Sequence, residues 1–359
     1  MTSVFQAHTD VAPLLSTTPT HADLAALYSA THWSLYDMPA LLDSRVDIEW
    51  LAHMSHTRTI QRFGHTMQLF APVYLSNLCY NQCTYCGFSM EHEYPRKTLS
   101  MAEFQLELGI LHRHGFRHVL LLTGEAPGSV DADYIAEAIH VAKKTFDSVG
   151  VEVQPLSQPD YEMLIQAGAD SLTLYQETYH KQTYLKHHLR GKKRRQDWRL
   201  TAVESGATAG FYRINLGALL GLYDWRYEAL CLGYHLTQLQ QRYQAVQFGV
   251  SFPRIQGMFG EYTVEYPVSD SDLVRLIATF RLVFPDISIT LSTREPAQLR
   301  DDLIPLGITT MSAASKTNPG GYSGHDTETQ FDISDERSVQ CIDAVLRDNG
   351  YCPVYTDWS

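Results

Sequence analysis

The sequence predicts an α/β protein, a (β/α)8 TIM-type barrel with an N-terminal helical extension, and three observations carry that prediction. From about residue 70 to the end, short β-rich runs alternate with helical patterns, and the β-rich runs number eight. The 359 residues are 44% apolar and 19% charged, the balance of a chain with a large core. Polar residues recur directly after the β-rich runs, where a barrel gathers its chemistry. The extension is expected over residues 1–70 and the barrel over 71–359.

Ahead of the barrel, Leu24 to Ala30, Met38 to Leu42 and Ile48 to Phe63 carry helical periodicity without strand signals, which predicts a helical lid or base. The first β-rich run is Ala71 to Ser76. Ser100 and Glu103 then form a capping box for a helix over Leu99 to His114. The following pairs of strand and helix are His118 to Leu122 with Asp131 to Ser148, Val151 to Gln154 with Asp160 to Gln166, and Ser171 to Tyr175 with Trp198 to Ala207. Next come Phe211 to Leu216 with Trp225 to Tyr243, Ala245 to Phe252 with Asp270 to Phe284, Ile287 to Leu291 with Pro296 to Leu303, and Ile308 to Ser312 with Asp335 to Asp348. The strand ends are followed by a cysteine cluster, Thr123-Gly124-Glu125, Gln154, Gln176-Glu177, Asn215, Arg254, Ser292 to Glu295, and Ser312 with Ser315.

Lys and Arg number 28 against 40 for Asp and Glu, so the net charge is −12 and no general attraction to nucleic acid or anionic lipid is expected. A small-molecule substrate fits better than either. No run reaches the ~18 apolar residues of a membrane span, and Met1 to His21 contains no Lys or Arg, unlike a signal or transit peptide. A cytoplasmic location is therefore expected. The charge is uneven, because Lys181 to Arg199 holds eight bases and one acid, Asp197. Such a segment attracts an anionic visitor, although Lys192-Lys193-Arg194-Arg195 on its own reads as a solvated loop.

Six cysteines are too few for a disulfide scaffold in a chain of this length. Cys231, Cys341 and Cys352 are scattered and are expected to be buried thiols. Cys79, Cys83 and Cys86 form a CxxxCxxC cluster with no fourth cysteine nearby. A structural zinc site needs four ligands, and His92 is the nearest imidazole that would complete one. A [4Fe-4S] cluster held by three thiolates instead leaves one iron open to a cofactor or substrate.

This spacing, with aromatic Tyr85 before the third cysteine and the cluster after the first barrel strand, resembles the radical S-adenosylmethionine (SAM) superfamily. Within it, Pro72 to Cys79 and Cys83-Thr84-Tyr85-Cys86-Gly87-Phe88-Ser89 are similar to the 2-iminoacetate synthase family, the tyrosine lyases of thiamine biosynthesis. So are Leu121 to Glu125, Glu152 to Leu156, Tyr175 to His180, His187 to Leu189, Gly217 to Leu219, Val250 to Arg254, Leu291 to Glu295 and Ser315 to Tyr322. The resemblance runs from about Gln61 to Trp358.

That resemblance implies a [4Fe-4S] cluster on Cys79, Cys83 and Cys86, whose open iron holds SAM and whose electron cleaves it to a 5′-deoxyadenosyl radical. The radical takes a hydrogen from the amine of L-tyrosine, and the Cα–Cβ bond breaks to give 2-iminoacetate (dehydroglycine) and p-cresol. Thiazole synthase and a small reducing protein, a flavodoxin or ferredoxin, are the implied partners. Gly124 and Glu125, with Thr123, look like the motif that receives the SAM ammonium. Glu177 is the implied acceptor for the ribose hydroxyls or that amine, and Arg199 the fork for the SAM carboxylate. Tyr85 and Phe88 either contact the adenine or fill the core. Arg294 is the implied anchor of the tyrosine carboxylate, with an internal bridge to Glu295 or Glu177 as the alternative. Ser315 is placed at the substrate amine.

Three other readings stay open. The tyrosine lyase of [FeFe]-hydrogenase maturation shares the barrel but carries a second cysteine motif in a C-terminal extension, whereas Cys341 and Cys352 form no CxxC pair. A tryptophan lyase of the same superfamily differs only in the ring its pocket accepts. The third is a non-catalytic carrier of zinc or of a cluster.

Overall fold

In the computed structural model, residues 11–255 and 262–355 are described. The strands are β1 (Thr66–Ser76), β2 (Gln82–Cys83), β3 (His118–Thr123), β4 (Ser148–Glu152), β5 (Ser171–Thr173), β6 (His188–Arg190), β7 (Arg213–Gly217), β8 (Gln247–Ser251), β9 (Ser288–Leu291), β10 (Thr310–Ser312) and β11 (Cys352–Val354). Eight of them, β1, β3, β4, β5, β7, β8, β9 and β10, run parallel, and β10 returns to β1 through Gln68↔Thr310 to close the barrel. These are the eight strands expected from the sequence.

Period-two alternation builds the wall. Met67, Leu69, Ala71, Val73 and Leu75 of β1 are buried among the surrounding helices, while Phe70, Pro72 and Tyr74 point into the barrel and line its cavity. Helix boundaries follow local chemistry. Ser100 accepts from the Glu103 amide and starts Met101–Arg113, and Gly168, at φ 114°, ends Gln158–Ala167.

Several expected boundaries move for a physical reason. The helix expected over Asp131 to Ser148 ends at Ala142, because Ser148 is taken into β4 opposite His118. β1 starts at Thr66 rather than Ala71, since Thr66–Gln68 gain a parallel partner in β11. The last helix starts at Val339 rather than Asp335, because Asp335 is fully buried against Arg300. Cys231 is buried as expected, but Cys341 and Cys352 are exposed. The last helix turns Val339, Ile342 and Leu346 inward and leaves Cys341 on its wet face.

The N-terminal helices form a base. Helix Ile48–Phe63 places Ser55 Oγ 2.7 Å from the carbonyl of Leu306, just before β10 and therefore at the N-terminal end of the barrel strands. Among the described residues, no helix is long and apolar enough to cross a membrane.

Candidate active site

The three clustered cysteines lie on the loop that leaves β1, at the C-terminal mouth of the barrel. The loop is held by a short antiparallel ribbon in which β2 pairs with β6, Gln82 opposite Arg190 and Cys83 opposite His188. Gly124, after β3, packs so close that a Cβ there would stand 2.2 Å from the Leu78 carbonyl oxygen and 3.2 Å from Cys79 Cβ, so only glycine fits. Cys79, Cys83 and Cys86 line one cavity with Phe88, Gly124, Glu125, Glu177 and Arg199, and none is in a disulfide.

The donor set fits an iron-sulfur cluster. Asn81 Nδ2 points at Cys79 Sγ (3.7 Å) and Gln330 Nε2 at Cys86 Sγ (4.0 Å), an arrangement that stabilises thiolate sulfur. Burial pushes all three thiols up, Cys79 to about 11, so a bound metal must supply the charge that deprotonates them. Among the described residues no group of three or more His, Cys, Asp or Glu is placed to hold a single metal ion. Three thiolates around a multi-iron cluster each bind a different iron and need not converge on one point. His92, the residue that would complete a zinc site, does not line the cavity.

Beside the thiols lies a closed set of charges. Arg199, buried on helix Gln196–Ala209, donates from Nη1 to Glu125 Oε1 (2.9 Å), from Nη2 to Glu177 Oε1 (3.5 Å) and from Nε to the Tyr175 carbonyl (2.6 Å). Lys193 Nζ reaches the same Glu177 Oε1 at 2.7 Å. Asn81 Nδ2 donates to Glu125 Oε2 at 2.7 Å, linking these charges to the cysteine loop. Burial raises the Glu177 carboxyl, but Lys193 and Arg199 outweigh it and hold the group at about 2. Glu177 also sits at φ 65°, a left-handed conformation that a glutamate adopts only when its surroundings compel it. Lys193 corrects the solvated-loop reading of the basic run. The β2–β6 ribbon turns this lysine inward while Lys192, Arg194 and Arg195 remain exposed.

A second chamber adjoins the first, and Glu152, Tyr175 and Gln330 line both. Its polar groups include Arg294, Ser315, Ser251 and Thr293, set among Phe70, Tyr74, Phe252 and Phe331. Arg294 stacks on Phe331, its guanidinium carbon 3.3 Å from the ring centre, and makes no ion pair among the described residues. The alternative, an internal bridge to Glu295 or Glu177, is not formed: Glu295 is engaged by Arg254, and Glu177 by Lys193 and Arg199. Burial lowers the Arg294 pKa, a penalty that an incoming anion would remove. The Ser315 hydroxyl is buried and has no hydrogen-bond partner among the described residues. Burial also pushes Glu152 up to about 7, with Arg294 opposing the rise.

The fold therefore gathers ten of the eleven residues singled out from the sequence into two connected chambers: Cys79, Cys83, Cys86, Phe88, Gly124, Glu125, Glu177 and Arg199 in the first, Arg294 and Ser315 in the second. Tyr85 stands apart. Its ring packs in a buried cluster with Cys83, Leu219 and Leu222, and its hydroxyl lies 2.7 Å from His188 Nε2. His188 Nδ1 must donate to the Tyr184 carbonyl (2.6 Å), so Nε2 accepts and Tyr85 donates, which fixes the ring to the ribbon. Arg199 is buried and doubly paired, not an exposed helix arginine. Sequence reasoning missed Lys193, Asn81, Glu152 and Gln330. Asn81, between two of the cysteines, and Glu152, inside a quoted motif, were visible there; Gln330 carried no signal.

Comparison with known proteins agrees with this geometry. Residues 73–230 match the model of the radical SAM superfamily, and residues 251–352 that of the Biotin and Thiamin Synthesis associated domain. Over 343 residues the chain is 42% identical to the 2-iminoacetate synthase of Escherichia coli (strain K12), covering 94% of this chain and 91% of that protein. It is 41% identical over the same length to the 2-iminoacetate synthase of Salmonella typhimurium. Among solved structures, HydG, a maturase of the [FeFe]-hydrogenase, superposes with a TM-score of 0.89 at 30% identity, covering 97% of this chain and 79% of that one. HydG from Carboxydothermus hydrogenoformans gives 0.87 at 33% identity, covering 92% and 78%. With a three-cysteine mouth, a closed barrel and near full-length likeness at this identity, the chain belongs to the 2-iminoacetate synthase family of radical SAM enzymes, which work with a [4Fe-4S] cluster and S-adenosylmethionine.

Proposed function

We propose that this protein cleaves the Cα–Cβ bond of L-tyrosine to 2-iminoacetate and p-cresol, as the thiazole-forming branch of thiamine biosynthesis requires. The observation that carries the reading is Arg294: a stacked, partly buried guanidinium with no ion pair among the described residues, in a chamber whose wall is shared with the thiol cavity. When bound, the [4Fe-4S] cluster supplies the electron that splits SAM to the 5′-deoxyadenosyl radical.

The chain's own residues bind and orient. Cys79, Cys83 and Cys86 hold the cluster. Glu125 and the backbone around Gly124 accept from the SAM ammonium, Glu177 from the ribose hydroxyls, and Arg199 lends positive charge toward the SAM carboxylate while helping Lys193 keep Glu177 ionised. Phe88 packs at the cavity wall. Arg294 forks the tyrosine carboxylate, and Ser315 with Glu152 receives its amine, which turns the N–H toward the first chamber. Tyr74, Phe70 and Phe252 leave an aromatic slot for the phenol. The enclosed barrel keeps water from the imine, and direct hand-over to thiazole synthase protects a product that hydrolyses readily.

The test is anaerobic reconstitution with iron and sulfide, reduction by dithionite, and measurement of p-cresol and 5′-deoxyadenosine with SAM and tyrosine. Both products in equal amounts are expected. Deoxyadenosine with tryptophan products instead would reassign the substrate, and a colourless, zinc-loaded protein without SAM cleavage would overturn the enzyme reading.

A further inference from the structure

The site described above uses the inner side of the basic segment and leaves its outer side unexplained. Lys181 to Arg199 carries a local +7 in a chain of −12, so the remainder carries −19. Lys193 and Arg199 are consumed internally, while Lys181, Lys186, Arg190, Lys192, Arg194 and Arg195 are exposed. Among the described residues, Lys186 alone of these six has an ion pair, with Glu265.

This basic surface is fastened to the cysteine loop. Through the β2–β6 ribbon, Arg190 lies opposite Gln82 and His188 opposite Cys83. The Lys193 amide donates to Asn81 Oδ1 (2.9 Å) and the Thr84 amide to the His187 carbonyl (3.1 Å). Gly191, at φ 90°, comes so near that a Cβ would stand 2.0 Å from Asn81 Oδ1. The loop and its cover also hold four of the large apolar side chains that the protein exposes: Tyr80 (43%), Met90 (44%), Leu185 (36%) and Leu189 (40%). Apolar side chains bordered by unpaired bases have the composition of a protein-docking surface. Carboxylates do occur nearby, but Glu91 accepts from Gln82 Nε2 (3.2 Å), and Asp131 and Asp160, across the adjoining cleft, cap helices.

We propose that this face docks an acidic one-electron carrier protein, which passes its electron through the covering ribbon to the centre held by Cys79, Cys83 and Cys86. The inference rests on the radical reading above, from which the need for an electron follows. The step balances as one electron lost by the reduced carrier and one gained by the oxidised centre, with no proton or group transferred. Three features converge on this partner. The remainder of the chain, at −19, repels an acidic carrier on balance, whereas this segment, at +7, attracts one. The segment is paired with the loop whose cysteines hold the centre to be reduced. Tunnelling weakens steeply with distance, and the ribbon that carries these bases is hydrogen-bonded directly to the cysteine loop.

The test uses the full-length reconstituted enzyme and a flavodoxin as probe, with an acidic ferredoxin as a second. Arg190→Glu with Lys192→Glu is compared with the charge-keeping pair Arg190→Lys with Lys192→Arg. The readouts are carrier affinity by calorimetry at low and near-physiological salt, and stopped-flow oxidation of the reduced carrier. Charge reversal is expected to weaken binding and slow electron transfer about tenfold or more, with a smaller salt dependence, while the charge-keeping pair behaves as wild type. Dithionite-driven p-cresol formation should be unchanged in both. Unchanged carrier affinity and rate in the reversed variant would overturn the docking site, as would failure of both acidic carriers to bind the wild type. Loss of dithionite-driven turnover in the reversed variant would also overturn it, by showing that these residues serve the site itself. Absence of p-cresol from the wild type with dithionite concerns the lyase reading alone, because carrier binding is measured without turnover.

Discussion

Lys193 Nζ lies 2.7 Å from Glu177 Oε1, and both side chains are nearly buried at the cavity mouth. Burial opposes the charge of Lys193, yet Glu177 more than offsets it and the pKa ends above its usual value. The pair thus stays ionised across the working range of pH. Lys193→Met should weaken SAM binding roughly 10- to 100-fold, the loss of a charge-assisted contact of about 1.5–3 kcal/mol, without changing iron content. Calorimetric titration of the reconstituted variant with SAM decides it; wild-type affinity would remove Lys193 from the site.

Gly124→Ala places a methyl 2.2 Å from the Leu78 carbonyl oxygen, and backbone must move to admit it. The cysteine loop is the part that gives way. Iron content and the brown absorbance after reconstitution should fall severalfold while the far-ultraviolet circular dichroism stays native. Full iron loading would refute the close-packing argument.

Arg294→Ala should leave cluster and SAM cleavage in place but lower kcat/KM for tyrosine by about 100-fold, since a buried charge partner of the carboxylate is worth about 3 kcal/mol. Deoxyadenosine formed without p-cresol would be the signature. Unaltered tyrosine kinetics would place the carboxylate elsewhere.

Glu152 gives a pH prediction with a defined sign. Its pKa is raised to about 7 by burial, and by Glu177, against the pull of Arg294, Lys193 and Arg199. A protonated carboxyl receives an ammonium poorly, so the KM for tyrosine should rise as pH falls through about 7, and Glu152→Gln should flatten that dependence. A wild-type profile in the variant would exclude the role.

For stability, Asp335→Asn is the informative change. It breaks the fully buried pair with Arg300, whose Nη2 also donates to the Ser312 carbonyl at 2.5 Å. Loss of one partner of such a pair costs about 3–5 kcal/mol. Burial raises the Asp335 carboxyl, but Arg337 and Arg300 outweigh it and leave the pKa at about 2, below the ordinary carboxylate value of 3.8. Its stabilising contribution is therefore complete above the unfolded value and is lost as pH falls through about 2. Chemical denaturation at neutral and acidic pH checks both statements: the variant should lose its penalty in acid.

The parts of this molecule written in local pattern were legible in the chain. The eight barrel strands showed because period-two burial and flanking turn residues are sequence-local, and the cysteines showed because three soft ligands at fixed spacing have few other uses. What escaped depends on contacts between distant segments. β11 is three residues long with a proline in the middle, Pro353, and becomes a strand only through the free edge of β1. Lys193 sits in a run of four bases that reads as solvent-facing, and only pairing of β6 with β2 turns it inward. Glu152 stood in the Glu152 to Leu156 motif without a role, because its meaning comes from the Arg294 charge, which acts on it from the far side of the barrel. Tyr85 was legible as an aromatic beside a cysteine, whereas its direction is set by His188.

The ribbon joining β2 to β6, together with Gln330 beside Cys86, also constrains how the enzyme matures. A nascent chain that has cleared the ribosome only as far as the cysteines lacks both braces, one supplied about a hundred residues later and the other near the C-terminal end. Metal loading of the kind required here must then follow synthesis past Gln330, and translation products cut short before it should emerge as apoprotein.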